Sequence, residues 1–499
     1  SPPTQKPLAL FSGIVSVGPD GSAEVSFDIP EFAGTARVMA VAWSASRLGR
    51  ATTDVIVRDP VVLTATLPRF LLNGDRGTMS MDIDNVEEMT IRTLGGVDRV
   101  DIRDMRATDV RQVTVDLAGN DGQGDGAADE VNILGSVGND TMSLEVIGNA
   151  IEAAGLGVRV RVTGAEAAFD RVALRGLDGD DTLDVKSANP TGIALILDGG
   201  NGNDILHGGT GNDTMLGGAD DDRFIWNPGD GVDTADGGEG NDLLEIGGTS
   251  ANDVFQIAAN GLAVFVTKDA QSGNINATNV EEITVTGGIG DDTFAVSGNV
   301  AALTHLTLDG GAGNDHISGG NGNDMLIGGE GDDVIDGNQG NDTVLMGAGT
   351  DTFVWDPGDG SDIVDGGTGT DVLLFNGSNA TENMVIGADG DHAFINRDIA
   401  NIHMDLDNVE RLEVSVLGGA DHVTVGDLSG TDVKTVAVGF AASFSGGDDG
   451  AVDTLTVNAT ASNDVIKLES VGGVSHITGL HAEVQLFSAT AQDRLEVNG

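Results

Sequence analysis

The chain has 499 residues, of which 76 are glycine and none cysteine, and 80 acidic side chains against 24 Lys and Arg give a formal net charge of −56. That balance disfavours nucleic-acid binding and points to a divalent cation as partner, while the lack of cysteine excludes disulfides, thiolate metal sites and a cysteine nucleophile. No run of about 18 apolar residues occurs, so no membrane span is expected, and an aromatic content of 4% suits a thin β-architecture.

The opening Ser1-Pro2-Pro3-Thr4 does not read as a signal peptide, so a leader has been removed or the sequence is a piece of a longer chain. Residues 1–84 carry a net charge of only −2, against −54 for residues 85–499. Alternating apolar residues predict strands at Leu8–Val17, Ala23–Ile29, Thr35–Ser44, Thr52–Val57, Val61–Leu67 and Thr78–Ile83, separated by turns such as Pro19-Asp20-Gly21 and Asn73-Gly74-Asp75. A small antiparallel sandwich fits, with Trp43 and Phe70 in its core. Phe11-Ser12-Gly13, the run Arg37 to Ser44, Val57-Arg58-Asp59-Pro60 and Leu67-Pro68-Arg69-Phe70 resemble a macroglobulin-like domain of the bacterial alpha-2-macroglobulin family. The resemblance implies a fold for 1–84 only. Protease trapping by that family needs a bait region and, in many members, a thioester cysteine, and neither has a place here.

From residue 85 the chain is repetitive. Asn85-Val86-Glu87 recurs at Asn279-Val280-Glu281 and Asn408-Val409-Glu410. Asp98, Asp109 and Asp170 return, all at one constant offset, as Asp421, Asp432 and Asp493. Inside this duplication lies another: Asp181 returns as Asp292, and Phe224–Gly231 as Phe353–Gly360. The second of these intervals exceeds the first by two nonapeptides, one full turn of a two-stranded roll. We therefore divide the chain into 1–84, a macroglobulin-like sandwich; 85–176, solenoid without full motifs; 177–280 and 281–407, two repeat runs; and 408–499, a solenoid segment homologous to 85–176.

Within the runs the nonapeptide G-G-x-G-x-D-x-U-x dominates, U being large and apolar. It places Asp204, Asp213, Asp222, Asp233 and Asp242 in the first run, and Asp315, Asp324, Asp333, Asp342, Asp351, Asp362 and Asp371 in the second. Steps are nine, with a single eleven in each run where a Trp-bearing insertion falls. The apolar positions are Ile317, Leu326, Ile335, Val344, Phe353 and Leu373, with Ile363 near phase. A flexible Gly/Asp linker has no reason to fix an apolar residue two places after each Asp. Glycine at positions one, two and four permits tight turns that turn carbonyls toward a cation, and Asp adds the hard anionic oxygen that Ca²⁺ prefers. Asn338 and Met346 replace motif glycines, and Ala219-Asp220 replaces x-Gly. Asp181 and Asp292 sit in isolated motif-like turns, which suggests that they lack a stacked partner. The stretches between runs, such as Val254–Val266, read as longer turns closed by apolar packing.

These repeats resemble the RTX (repeats-in-toxin, haemolysin-type) calcium-binding family, which implies a parallel β-roll with several Ca²⁺ ions between loops on one edge. Asp315 is then paired with Asp333, and Asp324 with Asp342. The fold expected is all-β: a small antiparallel sandwich followed by a long parallel β-roll or β-solenoid with calcium-binding turns. Stacked carboxylates repel without metal, so folding should couple to calcium, in roughly the 10⁻⁴–10⁻³ M range of extracellular modules. Export unfolded, commonly by type I secretion, is what the resemblance implies. No H-E-x-x-H, G-x-S-x-G or P-loop occurs, and His207 and His316 fall at variable positions expected to be exposed. The function expected is a secreted, non-enzymatic, calcium-rigidified structural or adhesive bacterial protein at the cell surface, with self-association or a matrix partner. By the offset that carries Asp98 to Asp421, Gly499 matches Gly176, mid-pattern, which suggests head-to-tail stacking or a cut array. The alternatives are the calcium-dependent secretion and folding portion of a larger enzyme or toxin, and a protease-inhibitor-like protein.

Overall fold

The computed structural model describes residues 85–499 apart from 120–121, 187–191, 270–272 and 442–449. Before residue 85 it describes only the backbone of Ala23–Glu24, Gly34–Trp43, Leu48–Val57, Leu63–Thr64 and Met79–Ser80. Gly34–Trp43 and Leu48–Val57 form one antiparallel hairpin, from Gly34 opposite Val57 to Trp43 opposite Leu48. The expected strand at Leu8–Val17, and the side chains of Trp43 and Phe70, lie outside the described residues.

The chain falls into two compact units, Ser1–Leu216 and Gly217–Gly499. Among the described residues both are all-β, with only two short 3-10 turns. In the first unit, Glu88–Leu94, Gln112–Gly119 and Arg159–Thr163 run parallel in one sheet. Arg99–Ile102, Glu130–Leu134, Arg171–Asp178 and Ala194–Asn201 run parallel in another. Parallel neighbours need crossover connections. Here the crossover is the strand of the opposite face, and the chain winds as a coil.

The second unit shows the winding most regularly. Thr307 pairs with Met325 and Met325 with Thr343, while His316 pairs with Val334 and Val334 with Thr352. Partners lie two nonapeptides apart in the chain, so one coil holds a nonapeptide on each face. Period-two alternation turns every second side chain inward. Leu308, Leu326, Val344 and Val364 form one buried column, and Ile317, Ile335, Phe353, Leu373 and Leu412 the other. Each buried aliphatic side chain contributes about 1.5–3 kcal/mol. Val364, not Ile363, fills the inward position after Asp362; Ile363 is 54% exposed. The step of eleven is absorbed in the preceding turn, leaving the spacing of two from Asp to core residue intact.

The stretches without full motifs, which read as longer turns closed by apolar packing, owe their length to inserted hairpins. Each adds an antiparallel hairpin to one face: Thr141–Ile147 with Ala150–Ala154, Val254–Asn260 with Ala263–Lys268, Asn383–Asp389 with His392–Arg397, and Lys467–Val471 with Val474–Thr478. The third strand of each meander then rejoins the parallel stack, as Gly273–Thr278 does beside Gly231–Glu239.

Candidate metal centre

Every motif aspartate is buried, and all but Asp233 lie at a loop. None of these twelve sequence-predicted ligands is more than 5% exposed. A buried carboxylate needs partners, and the chain supplies them in one direction. The backbone N–H of Asp315 donates to Asp333 Oδ1 (2.8 Å), that of Asp333 to Asp351 (2.8 Å), and that of Asp351 to Asp371 (2.9 Å). On the opposite edge Asp324 donates to Asp342 (2.8 Å) and Asp342 to Asp362 (2.9 Å). The expected pairings, Asp315 with Asp333 and Asp324 with Asp342, are thus neighbouring rungs. In the first run Asp222 donates to Asp242 (2.8 Å), and Leu195 N–H donates to Asp213 Oδ1 (3.2 Å). Asp233 differs in setting, lying within strand Gly231–Glu239 opposite Ile275.

The second oxygen is left over. Oδ2 of Asp242, Asp315, Asp324, Asp333, Asp342, Asp351, Asp362 and Asp371 is buried without a hydrogen-bond partner. Glycine at motif position one makes room for it: a Cβ on Gly310 would overlap Asp315 Oδ2, and one on Gly337 would overlap Asp342 Oδ2. The electrostatics agree. Burial pushes Asp342 up to about 8, and Asp204, Asp324 and Asp333 to about 7, against the lowering effect of the backbone N–H bonds. Carboxyl oxygens left without partners at this depth, whose charge burial disfavours, fit a cation that would compensate it. Among the described residues no three acidic or histidine side chains converge, which leaves the loop carbonyls as the candidate further ligands. An all-oxygen set rich in carbonyls suits Ca²⁺ rather than zinc.

Asp181 and Asp292 are not isolated. Asp181 N–H donates to Asp204 Oδ1 (2.7 Å) and Asp292 N–H to Asp315 Oδ1 (2.7 Å), and both keep an orphaned Oδ2. The rung lies 23 positions along the chain instead of the 18 that separate Asp315 from Asp333, which hides it from a search at steps of nine.

Sequence reasoning also missed that the ladder runs past the motif. Asp242 N–H donates to Glu281 and Asp371 N–H to Glu410, both at 2.9 Å. The repeated Asn-Val-Glu was the available signal: Asn279 and Asn408 take left-handed φ of 49° and 52°, Val280 and Val409 are buried, and the Glu completes the rung. A second, exposed ladder runs the other way through motif position five, which reads as variable in sequence. Asp332 N–H donates to Asn314 Oδ1, Thr350 to Asp332 and Asn341 to Asn323, each at 2.8 Å. Two of the departures preserve the turn: Asn338 and Asp220 occupy the replaced glycine positions at φ 58° and 76°. Met346 instead packs into the core. His316 is exposed as expected, but His207 is half-buried, its Nδ1 3.0 Å from Asp184. It sits directly across the parallel strands from that residue.

The family described as RTX calcium-binding nonapeptide repeat (4 copies) matches residues 196–225, 228–245, 307–332, 318–353 and 358–377. The alpha-2-macroglobulin family matches residues 9–94, reaching into strand Glu88–Leu94. Similar curated proteins include alpha-2-macroglobulins of Xylella fastidiosa (37% identical over 76 residues, 15% of this chain and 5% of that protein) and of Escherichia coli K12 (36% over 74 residues, 15% and 4%). That of Pasteurella multocida is 40% identical over 85 residues, 16% of this chain and 4% of that protein. The chain thus spans about a twentieth of the length of these relatives. Among solved structures, the extracellular lipase LipA of Serratia marcescens matches at 12% identity over 77% of this chain and 45% of that one, with a TM-score of 0.13, too low to carry an argument. The chain therefore combines RTX calcium-binding nonapeptide repeats with an N-terminal alpha-2-macroglobulin-family segment.

Proposed function

We propose that this is a secreted structural protein whose repeat runs fold and stiffen on binding Ca²⁺. The observation that carries the reading is the stack of buried, orphaned Oδ2 atoms in a chain that bears RTX repeats. Asp204, Asp213, Asp222, Asp233 and Asp242 in the first run, and Asp315, Asp324, Asp333, Asp342, Asp351, Asp362 and Asp371 in the second, would supply the carboxylate ligands. Bound calcium would supply the positive charge that lets like-charged rungs stack at the spacing of a β-sheet. The chain's own part is to hold one oxygen of each carboxylate by a backbone N–H and to clear space for the other at glycine.

Extracellular placement fits the metal: calcium modules that work outside cells bind in roughly the 10⁻⁴–10⁻³ M range, and sites of that strength stay empty in the cytosol. The finer role is adhesion or assembly into a filament or surface layer. A second reading, the calcium-folded portion of a larger secreted protein, is favoured by the alpha-2-macroglobulin-family segment at 9–94. Calcium titration followed by circular dichroism and light scattering tests these together. Cooperative gain of β-structure supports calcium-coupled folding, and scattering that then rises supports assembly. A folded monomer favours the second reading. Repeats fully folded in chelator would overturn the mechanism.

A further inference from the structure

Two of the three hairpin-bearing turns of the second unit, those leading into Val254–Asn260 and Asn383–Asp389, carry carboxylates in ladders of the same kind, yet their chemistry is different. Asp253 N–H donates to Asp292 Oδ1 (2.6 Å) and Glu382 N–H to Asp421 Oδ1 (2.8 Å), so both are ordinary rungs. Neither has an orphaned oxygen. Asp253 Oδ1 lies 2.7 Å from Lys268 Nζ, and its Oδ2 accepts from Thr249 N–H (2.6 Å) and Oγ (3.0 Å). Glu382 Oε1 accepts from Arg397 Nε (3.0 Å) and Nη2 and from Ser378 Oγ (2.5 Å), and its Oε2 from Ser378 N–H (3.1 Å). All four charged side chains are at most 4% exposed.

The two clusters are copies, related by the offset that carries Phe224–Gly231 onto Phe353–Gly360, and acid and base have both changed between them, Asp with Lys to Glu with Arg. The loops have changed too. Motif positions two and four are Thr249 and Ala251 in one and Ser378 and Ala380 in the other, none of them at positive φ. The glycine turn of the calcium motif is gone from these loops, and a hydroxyl and a cation from the hairpin stand in its place. Arg397 is further held over the Trp355 ring, 5.3 Å from its centroid, and Trp355 stacks on Phe375 at 4.1 Å.

We propose that Lys268 and Arg397 are resident counter-cations, which neutralise turns 248–253 and 377–382 from within the chain so that these turns and their hairpins fold without metal. They then act as preformed ends on which the metal-dependent coils stack. The contrast with those coils rests on the calcium reading; the role of the two cations does not.

Hydrogen–deuterium exchange on the whole chain, in EGTA and in millimolar calcium, tests this. Residues 254–268 and 383–397 should stay protected in both, while 310–351 is protected only with calcium. R397M leaves Glu382 buried and uncompensated, so exchange of 383–397 in EGTA should quicken about a hundredfold or more. K268M should do the same for 254–268. R397K should retain protection, and R397M/E382Q, which removes both charges, should recover most of it. Unprotected wild-type hairpins in EGTA, an R397M variant that stays protected, or a double variant no better than R397M would each overturn the proposal. If 310–351 stayed protected in EGTA, the calcium reading would fail, and the R397M comparison would still decide this one.

Discussion

At Asp333 two adjacent acidic residues do different work. Asp333 is buried with an orphaned Oδ2, whereas Asp332 is exposed and passes a hydrogen bond from Thr350 along the outer ladder. D333N keeps the shape but removes the charge that would face a bound cation, and should raise the calcium midpoint about tenfold or more. D332N keeps an acceptor oxygen for Thr350 and should leave the midpoint within about twofold. Isothermal titration of the pair checks this, and equal effects would argue against Asp333 as a ligand. Asn338 offers a separate test at the same scale. Its φ of 58° and its side-chain bond to Ser318 Oγ (2.9 Å) hold a position where the motif has glycine. N338A should cost about 1–2 kcal/mol from the left-handed backbone alone, while N338G should cost less, as read by denaturant unfolding in saturating calcium.

Across an element, a column of rungs couples folding to protons as well as to metal. The carboxyls of Asp342, near 8, and of Asp204, Asp324 and Asp333, near 7, are raised from 3.8 chiefly by burial. The metal-free fold therefore binds more protons than the unfolded chain between about pH 4 and 8, so its stability falls as pH rises through that window. In EGTA, β-structure in the runs should be greater at pH 5 than at pH 8. In calcium the sign reverses, because metal must displace those protons, and the calcium midpoint should rise as pH falls below 7. Circular dichroism over pH 5–8.5, with and without chelator, reads both. The rungs were legible in the sequence where the period was nine, because strand, turn and ligand all repeat in step. The hairpin turns were not, because a pairing such as that of Asp253 with Asp292, 39 positions further on, depends on antiparallel strands that insert between rungs. Position five was missed for a related reason: Asn, Asp, Thr and Ser alternate there, and only the stacked backbone shows backbone N–H groups donating to side-chain oxygens of the preceding coil, as Asp332 does to Asn314 and Thr350 to Asp332.

For the molecule as a whole, the repeat makes the coil the unit of stability. A coil that contacts only its neighbours contributes its own terms and two interfaces, so removing a complete coil leaves the remainder intact. Strand partners in the second unit lie two nonapeptides apart, from Thr307 to Met325 to Thr343. Deleting residues 319–336 removes one such period: Asp315 would then stack on Asp351, and the Leu308 column would continue from Leu308 to Val344. Deleting only 319–331 takes out less of the chain but brings strand Val334–Asp336 to the glycine loop's place in the coil. Side chains of the inward columns would meet backbone turns, and the rungs on both edges would lose register. The larger deletion should therefore do less harm. The variant lacking 319–336 should keep a single cooperative calcium transition with fewer ions bound, whereas the variant lacking 319–331 should lose cooperativity and most of the calcium-induced β-signal. Equal damage from the two deletions would mean that the runs are held by something other than the register of their coils.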